Sequence, residues 1–173
     1  MKLPQSLDRD RHVDLHGRNL EPWIRTAVLL IFVGISAAGL ANVFGQRTGA
    51  TTVESSAARM TLEAPGAARG GLMYQARFQI EARRDLEKPM LVFDPGWFEG
   101  FTINTFEPDP VEWEHRNGRN VMLFGRVPAG EKLVFRLQFQ VNPTAVGGRH
   151  QGVALEDGGE PLLRLVHRMR LFP

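Results

Sequence analysis

The stretch 26–46 (TAVLLIFVGISAAGLANVFGQ) carries no charged side chain across 21 positions and is bracketed by Arg25 and Arg47. At a helical rise of 1.5 Å per residue it covers about 31 Å, close to the hydrocarbon thickness of a bilayer. Inside lipid a backbone must satisfy its own hydrogen bonds, so a single isolated span has to be helical. The expectation is one transmembrane helix over 26–46, with the plasma-membrane bilayer as its partner. On that helix Gly34, Ala38 and Asn42 fall at i, i+4 and i+8. Such a stripe of small residues plus an amide is a candidate surface for pairing with another membrane helix.

Residues 1–25 mix charges of both signs, and Pro4, Gly17 and Pro22 interrupt them. This reads as a disordered tail. Its Lys2, Arg9, Arg11, Arg18 and Arg25 outnumber Arg47, Arg59 and Arg69 in the equal span beyond the helix. By the positive-inside rule the tail is expected to be cytoplasmic and everything past the helix extracytoplasmic. Trp23 is an aromatic of the kind found at headgroup level, and Arg25 can snorkel outward. The small residues around Gly39 and Ala41 raise the competing reading of a cleaved signal peptide. The 25-residue lead-in and the length of the uncharged span favour an uncleaved anchor.

Beyond the helix the chain changes character. Residues 47–56 are polar and aperiodic, and read as a flexible linker. From residue 57 the apolar pattern switches to period two. Leu72, Tyr74, Ala76, Phe78, Ile80 and Ala82 alternate with polar side chains, as do Leu133, Phe135, Leu137, Phe139 and Val141. Alternation of this kind marks a strand with one buried face. Shorter candidates lie at 58–64, 89–93, 101–106, 111–115, 121–127, 150–156 and 162–172. Turn-forming sequences separate them, and Asn117-Gly118 is the strongest hairpin signal. Seven to nine strands without a helix among them predict an all-β fold, an immunoglobulin-like antiparallel β-sandwich over 57–173.

Val127-Pro128-Ala129-Gly130-Glu131 leads into an alternating strand and is followed by Asn142-Pro143-Thr144 and a Gly-rich turn. This run resembles the last hairpins of immunoglobulin-like domains in bacterial surface and envelope proteins. The whole layout of tail, anchor and one domain resembles bacterial single-pass membrane proteins of uncharacterised function with an extracytoplasmic immunoglobulin-like domain. That resemblance implies the fold and an envelope location. It implies no active-site residue, and the Cys-Trp-Cys core of antibody domains is missing here.

The chemistry available to the domain is restricted. The chain has no Cys, and residues 57–173 have no Ser, so the usual activated nucleophiles are absent there. Carboxylates cluster between Glu107 and Glu114, with Glu112 and Glu114 on one strand face and Val111, Trp113 and His115 on the other. General acid and base work needs two carboxyls in different environments, whereas alternation puts both on the solvent side. A hydrolase using that run is therefore the weakest reading.

Copper handling is the sharpest alternative function. His167 and Met169 share one strand face and are the candidate metal ligands, with Met73, Met122, His115 and His150 as possible companions. Because that face is otherwise leucine, a core His beside a packing Met is the competing expectation. Trp97, Phe98 and Phe101 follow the Asp94-Pro95-Gly96 turn and are candidate anchors for a protein partner, or else they close the end of the core. Beyond residue 45 there are 16 Lys and Arg against 15 Asp and Glu, so no nucleic-acid partner is expected. The reading is a membrane-anchored, non-enzymatic interaction or envelope-accessory domain without a cofactor, with a membrane or envelope protein as its partner.

Overall fold

A computed structural model describes residues 21–41, 43 and 46–173. The chain divides near residue 45 into two compact units. The first holds helix α1, Glu21–Leu40. It begins earlier than the expected span, because Pro22 lies in the first turn, where a missing N–H costs no intrahelical bond. Thr26 Oγ1 donates to the Pro22 carbonyl at 2.9 Å in that turn. Apolar side chains project outward all round the helix, and Leu29, Leu30, Ile31, Phe32 and Val33 are each more than 60% exposed.

The second unit contains eleven strands among the described residues: β1 (Thr48–Glu54), β2 (Ala58–Pro65), β3 (Ala67–Arg69), β4 (Met73–Ala82), β5 (Pro89–Phe93), β6 (Phe101–Glu107), β7 (Glu112–Arg116), β8 (Arg119–Leu123), β9 (Lys132–Val141), β10 (Gly147–Asp157) and β11 (Glu160–Phe172). They form a β-sandwich. One sheet has the order β1-β2-β4-β9-β6 and the other β3-β11-β10-β5-β8-β7. Each segment with period-two patterning became a strand. Asn117 and Gly118 both adopt positive φ, 51° and 76°, and form the tight β7–β8 hairpin.

Two strands depart from the sequence reading. The stretch expected as a linker is β1, paired antiparallel with β2 from Thr48↔Pro65 to Glu54↔Arg59. It is an edge strand with all but one side chain exposed, so it offers hydrogen bonds and no buried face. Nothing in the backbone pairing requires apolar alternation. The short β3 lies parallel to β11, with Ala67 opposite Arg170, so the sandwich is not wholly antiparallel. Leu72, expected to open the inward row of β4, sits in the preceding turn and is 48% exposed.

The inward rows of β2, β4, β9 and β11 meet in one core, in which Met60, Phe78, Ile80, Phe135, Leu137 and Phe139 are fully buried. A 3-10 turn at Pro95–Trp97 closes the core on one side. Trp97 is completely buried, with its ring 5.4 Å from Phe78, 5.8 Å from Phe93 and 6.0 Å from Phe139. The indole N–H donates to the Gly152 carbonyl at 3.0 Å, so the one polar atom of the ring is satisfied in the interior. A Cβ built on Gly96 would lie 2.2 Å from the His150 carbonyl oxygen. Only glycine lets the turn settle on β10 at this distance.

Opposite that turn, the loops before β5 and β9 are fastened together. Leu86 and Val127 form a backbone bridge. Asp85 accepts from the Ala129 N–H at 2.8 Å and from Arg126 at 2.6 Å. These two contacts, the backbone N–H first, hold the Asp85 carboxyl below the usual carboxylate range.

Three outcomes follow from this packing. Trp97→Ala should lower unfolding stability by about 3–5 kcal/mol, read by denaturant titration of the detergent-solubilised chain. Gly96→Ala should cost about 1–3 kcal/mol through overpacking against the β10 backbone, seen as a lowered Tm. Because the folded pKa of Asp85 is depressed, its contribution is present above the unfolded value and disappears as pH falls through the folded one. The stability difference between the parent and Asp85→Asn should therefore be full near neutrality and shrink below about pH 4. A difference that stays constant with pH would show that the carboxylate charge is immaterial.

Candidate functional site

The aromatic residues proposed from the sequence as partner anchors are part of the core. Trp97 is inaccessible, Phe101 is buried and Phe98 is half-buried. Phe98 packs edge-on to Phe93 at 5.9 Å, and Phe101 lies 5.9 Å from Phe139. The glycines flanking this loop fold it inward onto β10 rather than presenting it to solvent. In the structure these rings close the end of the sandwich core, the second of the two expectations for them.

His167 and Met169 also face inward from β11, in the same row as Leu163, Leu165 and Leu171. His167 Nε2 is 3.0 Å from the Pro65 carbonyl oxygen, which can only accept, so Nε2 carries the proton. The imidazole lies nearly parallel to Trp97, with ring centres 6.5 Å apart. The other proposed copper ligands are distributed elsewhere. Met122 is buried on β8, Met73 is exposed on β4, and His115 and His150 are exposed on β7 and β10. Among the described residues no group of three or more His, Cys, Asp or Glu is placed to hold a metal ion.

Two buried polar groups beside His167 escaped the sequence reading. Gln151 is fully buried directly opposite His167 on β10, and its side-chain nitrogen donates to the Tyr74 hydroxyl oxygen at 3.4 Å. Its side-chain oxygen has no protein hydrogen-bond partner. Burial pushes the Tyr74 hydroxyl pKa up, partly offset by the Gln151 contact. A Tyr in an apolar alternation reads as an ordinary core aromatic, and a lone Gln in a Gly-rich stretch carries no pattern. Their pairing across the two sheets is visible only in three dimensions.

The acidic run divides between the sheets. Glu107 ends β6 in one sheet and pairs with Arg136 at 3.6 Å, while Glu114 lies on β7 in the other and pairs with Arg116. Trp113, expected on a face opposite the carboxylates, is 45% exposed and packs edge-on to Phe106 at 5.5 Å. Strand β7 is an edge, so neither of its faces is fully covered. Elsewhere Glu54 is held below the usual carboxylate range chiefly by Arg83, and Glu81 chiefly by Lys132. Both shifts favour the ionised form, opposite to what a general acid requires.

On α1, Gly34 is exposed with open space where a Cβ would stand, and Ala38 is half-buried. Asn42, the third member of that stripe, lies outside the described residues.

No family model and no curated protein matches the chain. Among solved structures it is similar to the solution structure of CaCohA2 from Clostridium acetobutylicum, at 12% identity and a TM-score of 0.46, covering 71% of this chain and 96% of that one. A crystal structure of CaCohA2 in complex with a variant of CaDoc0917 aligns at 12% identity and a TM-score of 0.41, over 61% of this chain and 94% of that one. A GH20 exo-β-N-acetylglucosaminidase from Vibrio harveyi aligns at 12% identity and a TM-score of 0.31, over 73% of this chain and 18% of that one. No residue role is carried across from any of them.

Proposed function

We propose that the chain is a single-pass membrane protein whose β-sandwich stands on the extracytoplasmic side as a non-enzymatic interaction or envelope-accessory domain. The observation that carries the membrane part is Pro22–Leu40, an apolar helical stretch of 19 residues, none of it buried by protein. In water each of its large side chains would forgo about 1.5–3 kcal/mol of burial. A bilayer supplies that burial along the whole helix at once. The tail 1–25 would then be cytoplasmic, in keeping with its excess of Lys and Arg. Gly34 and Ala38 would let a second membrane helix approach closely.

The interaction role is supported by the composition of the domain. Residues 57–173 contain neither Ser nor Cys, and the conspicuous aromatic and imidazole side chains of the loop and of β11 are committed to packing. What is left to act on other molecules is surface.

The absence of native Cys permits a direct test. In intact cells Glu131→Cys should react with a membrane-impermeant maleimide, and Lys2→Cys only after the membrane is opened. The full-length chain should stay with the membrane pellet through alkaline carbonate extraction. A shortened chain released into the soluble fraction would mean a cleaved leader, and the reverse labelling pattern would invert the orientation. Crosslinking in the same membranes, followed by identification of the attached protein, tests the interaction role.

A further inference from the structure

Most cations of the sandwich meet a carboxylate. Arg59 pairs with Glu54 at 2.8 Å, Arg77 with Glu63 at 3.3 Å, Arg126 with Glu87 at 3.0 Å and Lys132 with Glu81 at 2.7 Å. On β11 itself, Arg164 pairs with Asp94. Among the described residues that lack such a partner, Arg69, Arg168 and Arg170 leave the outer face of the sheet at one corner of the sandwich. Arg170 stands opposite Gly148 on β10 and Ala67 on β3, Arg168 stands opposite His150, and Arg69 stands opposite Phe172.

The corner is concave for a reason that lies in the sequence. Arg168 and Arg170 are two apart, so they leave the same face of β11, about 6.8 Å from each other along the strand. The position facing Arg170 on β10 is Gly148, and on the other side Gly66 precedes the small Ala67; a Cβ built at either glycine meets nothing within 4 Å. The Gly66 carbonyl accepts the Arg170 backbone N–H at 3.0 Å, which holds that glycine against β11. Among the residues lining the resulting groove of about 210 Å³ are Gly66, Gly148, His150, Arg168 and Arg170. Arg149 stands opposite the inward-facing Met169, so its side chain leaves the other face of β10, where carbonyl oxygens of Glu99, Val146 and Gly148 hold its guanidinium at 3.1–3.2 Å.

We propose that this groove binds a phosphate-bearing ligand. Guanidinium forks match phosphate oxygens in pairs, and uncompensated like charges held close together are stabilised by an incoming anion. A phosphate group offers three acceptor oxygens and close to two negative charges. It can therefore accept from Arg168 and Arg170 together, whereas a single carboxylate has oxygens for one fork. The volume suits a compact anion or a lipid headgroup.

The test uses the full chain in phosphatidylcholine nanodiscs, followed by hydrogen exchange over residues 147–150 and 166–170. Pyrophosphate should slow exchange there saturably. Protection that appears without pyrophosphate when phosphatidylglycerol is added to the discs identifies a lipid headgroup as the source, and protection by pyrophosphate alone identifies a free phosphate compound. Arg168→Glu/Arg170→Glu should weaken the apparent affinity about tenfold or more. Gly148→Leu should do the same while every charge remains, because it fills the groove at a position outside the left-handed region and with room for a side chain. Exchange in β4 and β9 reports whether each variant is folded. Protection by neither anion overturns the proposal, as does protection that persists unchanged in a folded Gly148→Leu chain.

Discussion

The sandwich depends on the seating of Trp97 between its sheets. A short turn carries the indole inward from the end of β5, where it touches aromatic rings from both layers and donates its only N–H to the Gly152 carbonyl. Without that bond, the interior would hold an unsatisfied donor, at a cost of about 1–3 kcal/mol. The backbone N–H of Asp94 reaches the same Gly152 oxygen at 2.9 Å. Two donors therefore converge on one carbonyl and clamp the turn to β10. The side chain of Asp94 then bridges Arg164 and Arg119, tying β11 and β8 to the turn across the outer face of the sheet. A cysteine-free domain is held here by a buried aromatic plug with a polar latch, the task a disulfide performs in many small extracellular domains.

The same packing decides which surfaces remain for function. Side chains that look reactive on paper, such as Trp97 and His167, are used internally. Charges that look evenly balanced on paper are unevenly paired in space. Carboxylates neutralise the cations over much of the sandwich, and a group of arginines at the β3–β11–β10 corner is left over. Near-zero net charge for a domain is thus compatible with a local excess of cations at one corner, because electrostatic fields follow local arrangement.

Much of the fold was legible in the chain. Period-two alternation located nine strands, since a half-buried strand must alternate, and Asn117-Gly118 located a hairpin, since its turn needs two residues tolerant of positive φ. The strands that escaped were β1 and β3. Both take part at an edge through backbone groups, and backbone hydrogen bonding leaves no mark on side-chain pattern. Little of the candidate site was legible. The inward direction of the Trp97 loop follows from the contact of Gly96 with the His150 backbone, which lies 54 positions further along the chain. The contact between Gln151 and Tyr74 joins opposite sheets in the same way.

By itself the sequence determined the class of the protein: one apolar helix and one all-β domain without thiol or, beyond residue 56, serine chemistry. These are properties of composition and of short-range periodicity, and they hold whatever the final packing. Tertiary structure alone decided the rest. It turned a supposed linker into a strand, placed the aromatic loop inside the core, split the acidic run between two sheets and left Arg69, Arg168 and Arg170 on one outer corner without a carboxylate partner among the described residues. Each of those outcomes depends on residues far apart in the chain coming within a few ångströms of one another, and no local pattern encodes such a meeting.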